Sequence, residues 1–342
     1  MKIKAAVLYR LNSPLVIEEL EIPAPKAGQI LVKILYSGVC RAQVNEQSGL
    51  KGPDRFLPHL LGHEASAIVV KTGPKVTKVK QGDYVCLSWI KGNGKEVAAT
   101  QYKKGKTIIN AGAVTTFSNY AIVAENRATK IPKTIPPEVV AILGCAVATG
   151  AGIINNILNV KPKSSVAVFG IGGIGGSAIL AAKRRGCKKI IAVDINQKKL
   201  AFASKLGATH RIKAGPQTLE LIRQIVERGT DYAVEASGSR TAMETAFDAV
   251  HSRGMIAIAG NLKKDEKISI HPFELIKGKR IVGTWGGETH PEPDFLHYAR
   301  DYQRGRFPIH KLITHRLKLK DINKAMTLLK RGEAGRIVIQ CS

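Results

Sequence analysis

Ser165-Val166-Ala167-Val168-Phe169-Gly170-Ile171-Gly172-Gly173-Ile174-Gly175 is the stretch from which the rest of the chain can be ordered. The β-branched and aromatic residues at 165–169 predict a buried strand, and the small and apolar residues from Ile174 predict a helix ending near Gly186. Between them Gly170, Gly172 and Gly175, with Gly173 as an additional glycine, have the spacing of a dinucleotide turn. The first glycine permits the tight turn, the second lets backbone approach a pyrophosphate, and the free N–H groups of the helix end favour its charge. The next strand, 189–193, stops at Asp194, which follows Gly175 by 19 residues. A carboxylate there can accept from ribose hydroxyls and repels a 2′-phosphate, so NAD is expected over NADP. Lys198 and Lys199 lie just beyond it, and we count Lys199 among the cofactor contacts.

Downstream, the strand–helix alternation continues. Helices are predicted closing at Gly207, at 217–228 and at 240–251, with strands at 232–236 and 255–259. This is the outline of a doubly wound parallel sheet. The pattern lapses near Gly283. The tail carries an amphipathic helix from Asp321, with Ile322, Ala325, Met326 and Leu329 on one face and Gly332 as its stop. Upstream, residues 1–150 show short alternating runs separated by Pro and Gly, a β-rich pattern.

The 342 residues, 44% of them apolar, suit two globular domains. The first residues do not have the form of a signal peptide, and no uninterrupted run of 18 apolar residues occurs, so a cytoplasmic protein without a membrane span is expected. Five scattered cysteines argue for thiols or thiolate ligands rather than a disulfide framework. The formal charge of +27 fits either an anionic partner or a basic surface. Its densest clusters, such as 103–106, lack the interleaved aromatics of a single-strand platform, which speaks against nucleic acid as the partner.

Gly38-Val39-Cys40, Gly62-His63-Glu64 and Gly144-Cys145 each put a metal-binding residue at a glycine turn. Two thiolates and one imidazole suit a tetrahedral zinc with one open position, provided the fold brings them together.

These motifs, in this order, carry a resemblance along nearly the whole chain. GVCRAQ (38–43), GHE (62–64), GDYV (82–85), LGCAVATG (143–150), the glycine turn and AGRIVI (334–339) are similar to landmarks of the zinc-dependent alcohol dehydrogenases of the medium-chain dehydrogenase/reductase superfamily. The resemblance implies an α/β protein with a GroES-like catalytic domain, 1–146 completed by 285–342, and a Rossmann NAD-binding domain at 147–284. It implies zinc ligation by Cys40, His63 and Cys145, with Glu64 as an exchangeable fourth ligand. Arg41 and Arg336 would hold the pyrophosphate, and Thr149 would touch the nicotinamide. Trp89 and Phe117 resemble walls of a substrate pocket. The implied activity is hydride transfer between NAD and an alcohol or carbonyl, with anionic or sugar-like substrates among the candidates, in a dimer or tetramer. A zinc-free quinone or enone reductase of the same fold, or a basic nucleic-acid binder, would be the alternatives.

Two departures stand out. Ala42 replaces the usual Ser or Thr that carries the alcohol proton, and Gln43 stands where Asp is usual. Residues 89–112 contain none of the four cysteines that hold a structural zinc in many relatives; Asn93 and Glu96 stand near the first two places. One catalytic zinc per subunit is therefore expected, with Cys86 and Cys187 as buried thiols and Cys341 without a role.

Overall fold

The computed structural model describes residues 1–50 and 52–342. Its centre of order is a six-stranded, all-parallel sheet. The strands run His210–Lys213, Lys189–Asp194, Ser165–Phe169, Thr230–Glu235, Val250–Ile258 and Arg280–Gly283 across it. In order of appearance this is 3-2-1-4-5-6, the doubly wound arrangement whose switch point lies beside the first strand. Val166 to Phe169 and Ile190 to Val193 are all at most 2% exposed. A strand covered by helices on both faces needs such a continuous apolar run instead of an alternation.

The glycine turn leaves the first of these strands, and Gly173–Arg184 follows as a helix. Here glycine is obligatory. Gly170 has φ +86°, and a Cβ on Gly175 would lie 2.0 Å from the Gly170 carbonyl oxygen. The sequence-predicted elements all form, with ends shifted by a few residues. The sixth strand, Arg280–Gly283, is not among them: it is four residues long, at the sheet edge, and has no fully buried side chain.

The β-rich part forms a closed five-stranded barrel and a seven-stranded sheet. In that sheet Gln29–Val39 is central, pairing with Glu64–Thr72, Tyr120–Ala124 and the tail strand Arg336–Gln340. The tail thus completes the N-terminal sheet. The amphipathic helix, Ile322–Lys330, packs Ile322, Ala325 and Met326 into the same core.

Between the two sheet systems runs a helical path from Pro137 to Ile157 with two π-helical segments, Leu143–Val147 and Ile153–Ile157. By length and composition it could cross a membrane, although Thr149 and the glycines at 144, 150 and 152 break up its apolar run in sequence. However, 89% of its most apolar stretch is buried within the protein, as befits a core helix packed between sheets.

Candidate active site

Strand pairing assembles the site. Cys40 follows the Gln29–Val39 strand and is the N-cap of the Arg41–Gln47 helix. His63 precedes the Glu64–Thr72 strand, whose Ala65 pairs with Ser37, so both residues emerge at the same end of the sheet. Cys145 lies in the Leu143–Val147 π-turn, which Ser88 fixes by donating to the Gly144 carbonyl at 2.6 Å. The candidate ligand atoms of Cys40, His63 and Cys145 all lie within 4.8 Å of one another. The two sulfurs are 4.0 Å apart. His63 Nε2 is buried without a hydrogen-bond partner among the described residues. The Cys145 thiol, with Arg336 and His63 behind it, holds the Cys40 thiol well below its ordinary value against the opposing effect of burial, while its bond to Cys40 pushes Cys145 up. Two soft sulfurs and an imidazole with an unused nitrogen fit zinc.

Glu64 is placed differently from its expected role as a fourth ligand. It is fully buried and its Oε1 is ion-paired with Arg336, while Oε2 accepts from the Ala146 amide at 3.4 Å. Gly38 leaves it room: a Cβ there would sit 2.1 Å from Oε1. Arg336, 3% exposed, is drawn to this carboxylate and still borders the glycine turn, its Nη1 3.2 Å from where a Gly173 Cβ would be. Arg41 turns to the Leu329 and Lys330 carbonyls, at 2.9 and 3.2 Å, capping the tail helix. A guanidinium attracted by the partial negative charge of a helix end needs no phosphate to explain it.

Asp194 is buried rather than an exposed turn residue. Its Oδ2 accepts the Ile171 amide at 2.7 Å and its Oδ1 the Asn196 amide at 2.9 Å, tying the second strand to the glycine turn. Gly172 opens to free space, and Lys199 reaches towards Gly332. Thr149 is buried near the start of the helix Gly173–Arg184, against which Gly150 packs. The two expected pocket walls separate. Trp89 lies edge-on to His63 with ring centroids 6.5 Å apart, whereas Phe117 is 1% exposed in the core. Trp285, which no sequence signal marked, stacks edge-on against Trp89 at 6.2 Å while 82% exposed.

A cavity of about 890 Å³ opens beside His63, lined also by Gln43, Glu46, Phe56, His59 and Lys103. The segment that lacks cysteines is fixed by charge instead. Glu96 pairs with Arg127, Lys78 with Glu292, and Glu125 accepts the amides of Thr77, Lys78 and Lys95. Of the remaining thiols, Cys86 is buried as expected, Cys187 is only half-buried and raised to about 11, and Cys341 is buried and raised to about 12.

This geometry agrees with comparison to known proteins. Residues 26–133 match the alcohol dehydrogenase GroES-like domain and residues 173–300 the zinc-binding dehydrogenase family. The chain is 33% identical to an S-(hydroxymethyl)glutathione dehydrogenase of Synechocystis sp., covering 99% of this chain and 100% of that protein. The chain belongs to the zinc-dependent alcohol dehydrogenase family. A second S-(hydroxymethyl)glutathione dehydrogenase, from Saccharomyces cerevisiae, is 34% identical over 99% of the chain and 96% of its own length. The crystal structure of benzyl alcohol dehydrogenase from Acinetobacter calcoaceticus superposes with a TM-score of 0.90 at 30% identity, covering both chains in full. As a member of this family, the protein is a zinc- and nicotinamide-dependent oxidoreductase with a GroES-like part and a Rossmann part, acting on a small alcohol or its carbonyl counterpart.

Proposed function

We propose that this alcohol dehydrogenase transfers hydride between NAD and an alcohol at a single zinc held by Cys40, His63 and Cys145. The observation that carries this reading is the convergence of two sulfurs and one imidazole within 4.8 Å, with the imidazole on the wall of a cavity. Bound zinc supplies a Lewis acid that makes the alcohol proton acidic near neutral pH. The chain does the rest. The glycine turn and its helix bind the pyrophosphate, Thr149 borders the nicotinamide, and Trp89 walls the reacting centre. Arg336 neutralises Glu64 beside the ligands and borders the glycine turn, and Arg41 caps the tail helix. With no hydroxyl on Ala42, the proton leaves through cavity water. The catalytic domain spans 1–146 and 285–342 and the Rossmann domain 147–284, a division supported by the tail strand's place in the N-terminal sheet.

We read the +27 charge, with Lys26 and Lys103 on the cavity wall, as a field that steers an anionic substrate. Alcohols and aldehydes, among them S-hydroxymethylglutathione and benzyl alcohol, are followed by NADH absorbance with and without a zinc chelator. The chelator abolishes turnover, and kcat/KM for the best substrate falls with ionic strength. Turnover that survives complete zinc removal would sink this reading.

Two further expectations arise here. Wild-type enzyme uses NADH better than NADPH, and Asp194→Ala shifts the ratio of their kcat/KM values by about tenfold towards NADPH by removing the repulsive carboxylate. A wild-type preference for NADPH refutes it. The strand Arg280–Gly283 is an unpaired edge among the described residues, flanked in sequence by exposed Phe273, Ile276 and Trp285, which supports a homo-oligomer joined there. Light scattering then gives a dimer or tetramer, and Ile276→Lys a smaller species. The free thiols and thiolate site suit a reducing cytoplasm.

A further inference from the structure

The Gln43 carboxamide, 2% exposed, stands between two groups that both govern the ligand set. Its Oε1 accepts the backbone N–H of Cys40 at 2.8 Å, the return half of a capping box on the Arg41–Gln47 helix. Its Nε2 lies against His63 Nδ1.

A carboxamide has one acceptor atom. With that oxygen committed to Cys40, the face turned to His63 is a donor, so Nδ1 presents its lone pair and the neutral ring carries its proton on the buried Nε2. A metal held through Nε2 needs the opposite tautomer. Nε2 must offer the lone pair, and Nδ1–H then needs an acceptor to orient it. Gln43 is the side chain in contact with Nδ1. Two donors, the Cys40 amide and His63 Nδ1–H, therefore lie at opposite ends of a carboxamide whose single oxygen faces only one of them.

We propose that Gln43 is a two-position positioning residue: its oxygen caps the Arg41–Gln47 helix in the metal-free site and turns to His63 Nδ1 when zinc binds. The inference rests on the zinc reading above. Loading the metal releases the helix cap, so zinc is held less tightly than by the same site with a carboxylate at this position. The substitution Gln43→Glu supplies that carboxylate, whose two oxygens satisfy both donors at once.

The test compares wild type with Gln43→Glu. Nitrogen-15 NMR of the metal-free wild type, at a pH where imidazole is neutral, shows His63 as the Nε2–H tautomer. Zinc loading converts it to Nδ1–H. Hydrogen exchange at the Cys40 amide speeds up several-fold on loading in wild type and stays slow in Gln43→Glu, a sign that added negative charge alone does not produce. Competition with a chromogenic chelator gives zinc held about tenfold more tightly by Gln43→Glu, the scale on which groups behind a metal ligand act. An Nδ1–H tautomer in the metal-free wild type, or a Cys40 amide equally protected with and without zinc, overturns the proposal. Failure of both proteins to take up zinc overturns the zinc reading with it, an outcome distinct from the other two.

Discussion

Cys145→Ala abolishes stoichiometric zinc and lowers kcat/KM for alcohol oxidation by about 10³-fold or more, with the fold retained. The proposed ligand set has three members, and removing one leaves a sulfur and an imidazole that cannot fill a catalytic zinc's protein positions. A Lewis acid contributes several kcal/mol to such a reaction, and each 1.36 kcal/mol is a factor of ten in rate. Cys145 is the better residue to remove than Cys40, because Cys40 also starts the Arg41–Gln47 helix. Metal content by mass spectrometry and steady-state rates are measured together. Normal activity with normal zinc would mean that the three residues meet for another reason.

The second large effect concerns stability. Arg336→Met should cost about 3–5 kcal/mol, because it leaves the fully buried Glu64 carboxylate without its counter-charge. The pair itself is no great source of stability, since both charges were taken out of water to make it. Accordingly Glu64→Gln combined with Arg336→Met recovers most of the loss, an interaction that a double-mutant cycle measures. Denaturant unfolding is the readout. If the single Arg336→Met variant is as stable as wild type, the pair is not held in the dry contact described.

Local signals make much of this legible. The glycine turn and Asp194 share one strand–turn–helix unit, and the three candidate ligands each follow a glycine within two residues, so short windows of sequence suffice. What escapes depends on partners far along the chain. Nothing near Glu64 announces Arg336, and nothing near Arg41 announces the end of the tail helix, so these two contacts go unread while the resemblance gives both arginines only a phosphate role. The Arg280–Gly283 strand is too short and too exposed to stand out from a loop. Trp285, followed by two glycines after that strand, lacks any periodicity at all. Gln43 is visible as an anomaly, but its two simultaneous bonds belong to the folded site.

The strand Arg336–Gln340 has a bearing on how the molecule is made. It pairs with Gln29–Val39, and its first residue neutralises Glu64 beside the proposed metal ligands. On the ribosome, Cys40, His63 and Cys145 emerge long before it, followed by the whole six-stranded sheet. The sheet can close on itself as a unit during synthesis. The N-terminal sheet must wait with a gap beside its central strand, an open template for pairing with another nascent chain. Closure of the N-terminal sheet is thereby a late step, when the tail docks and the buried carboxylate finds its counter-ion.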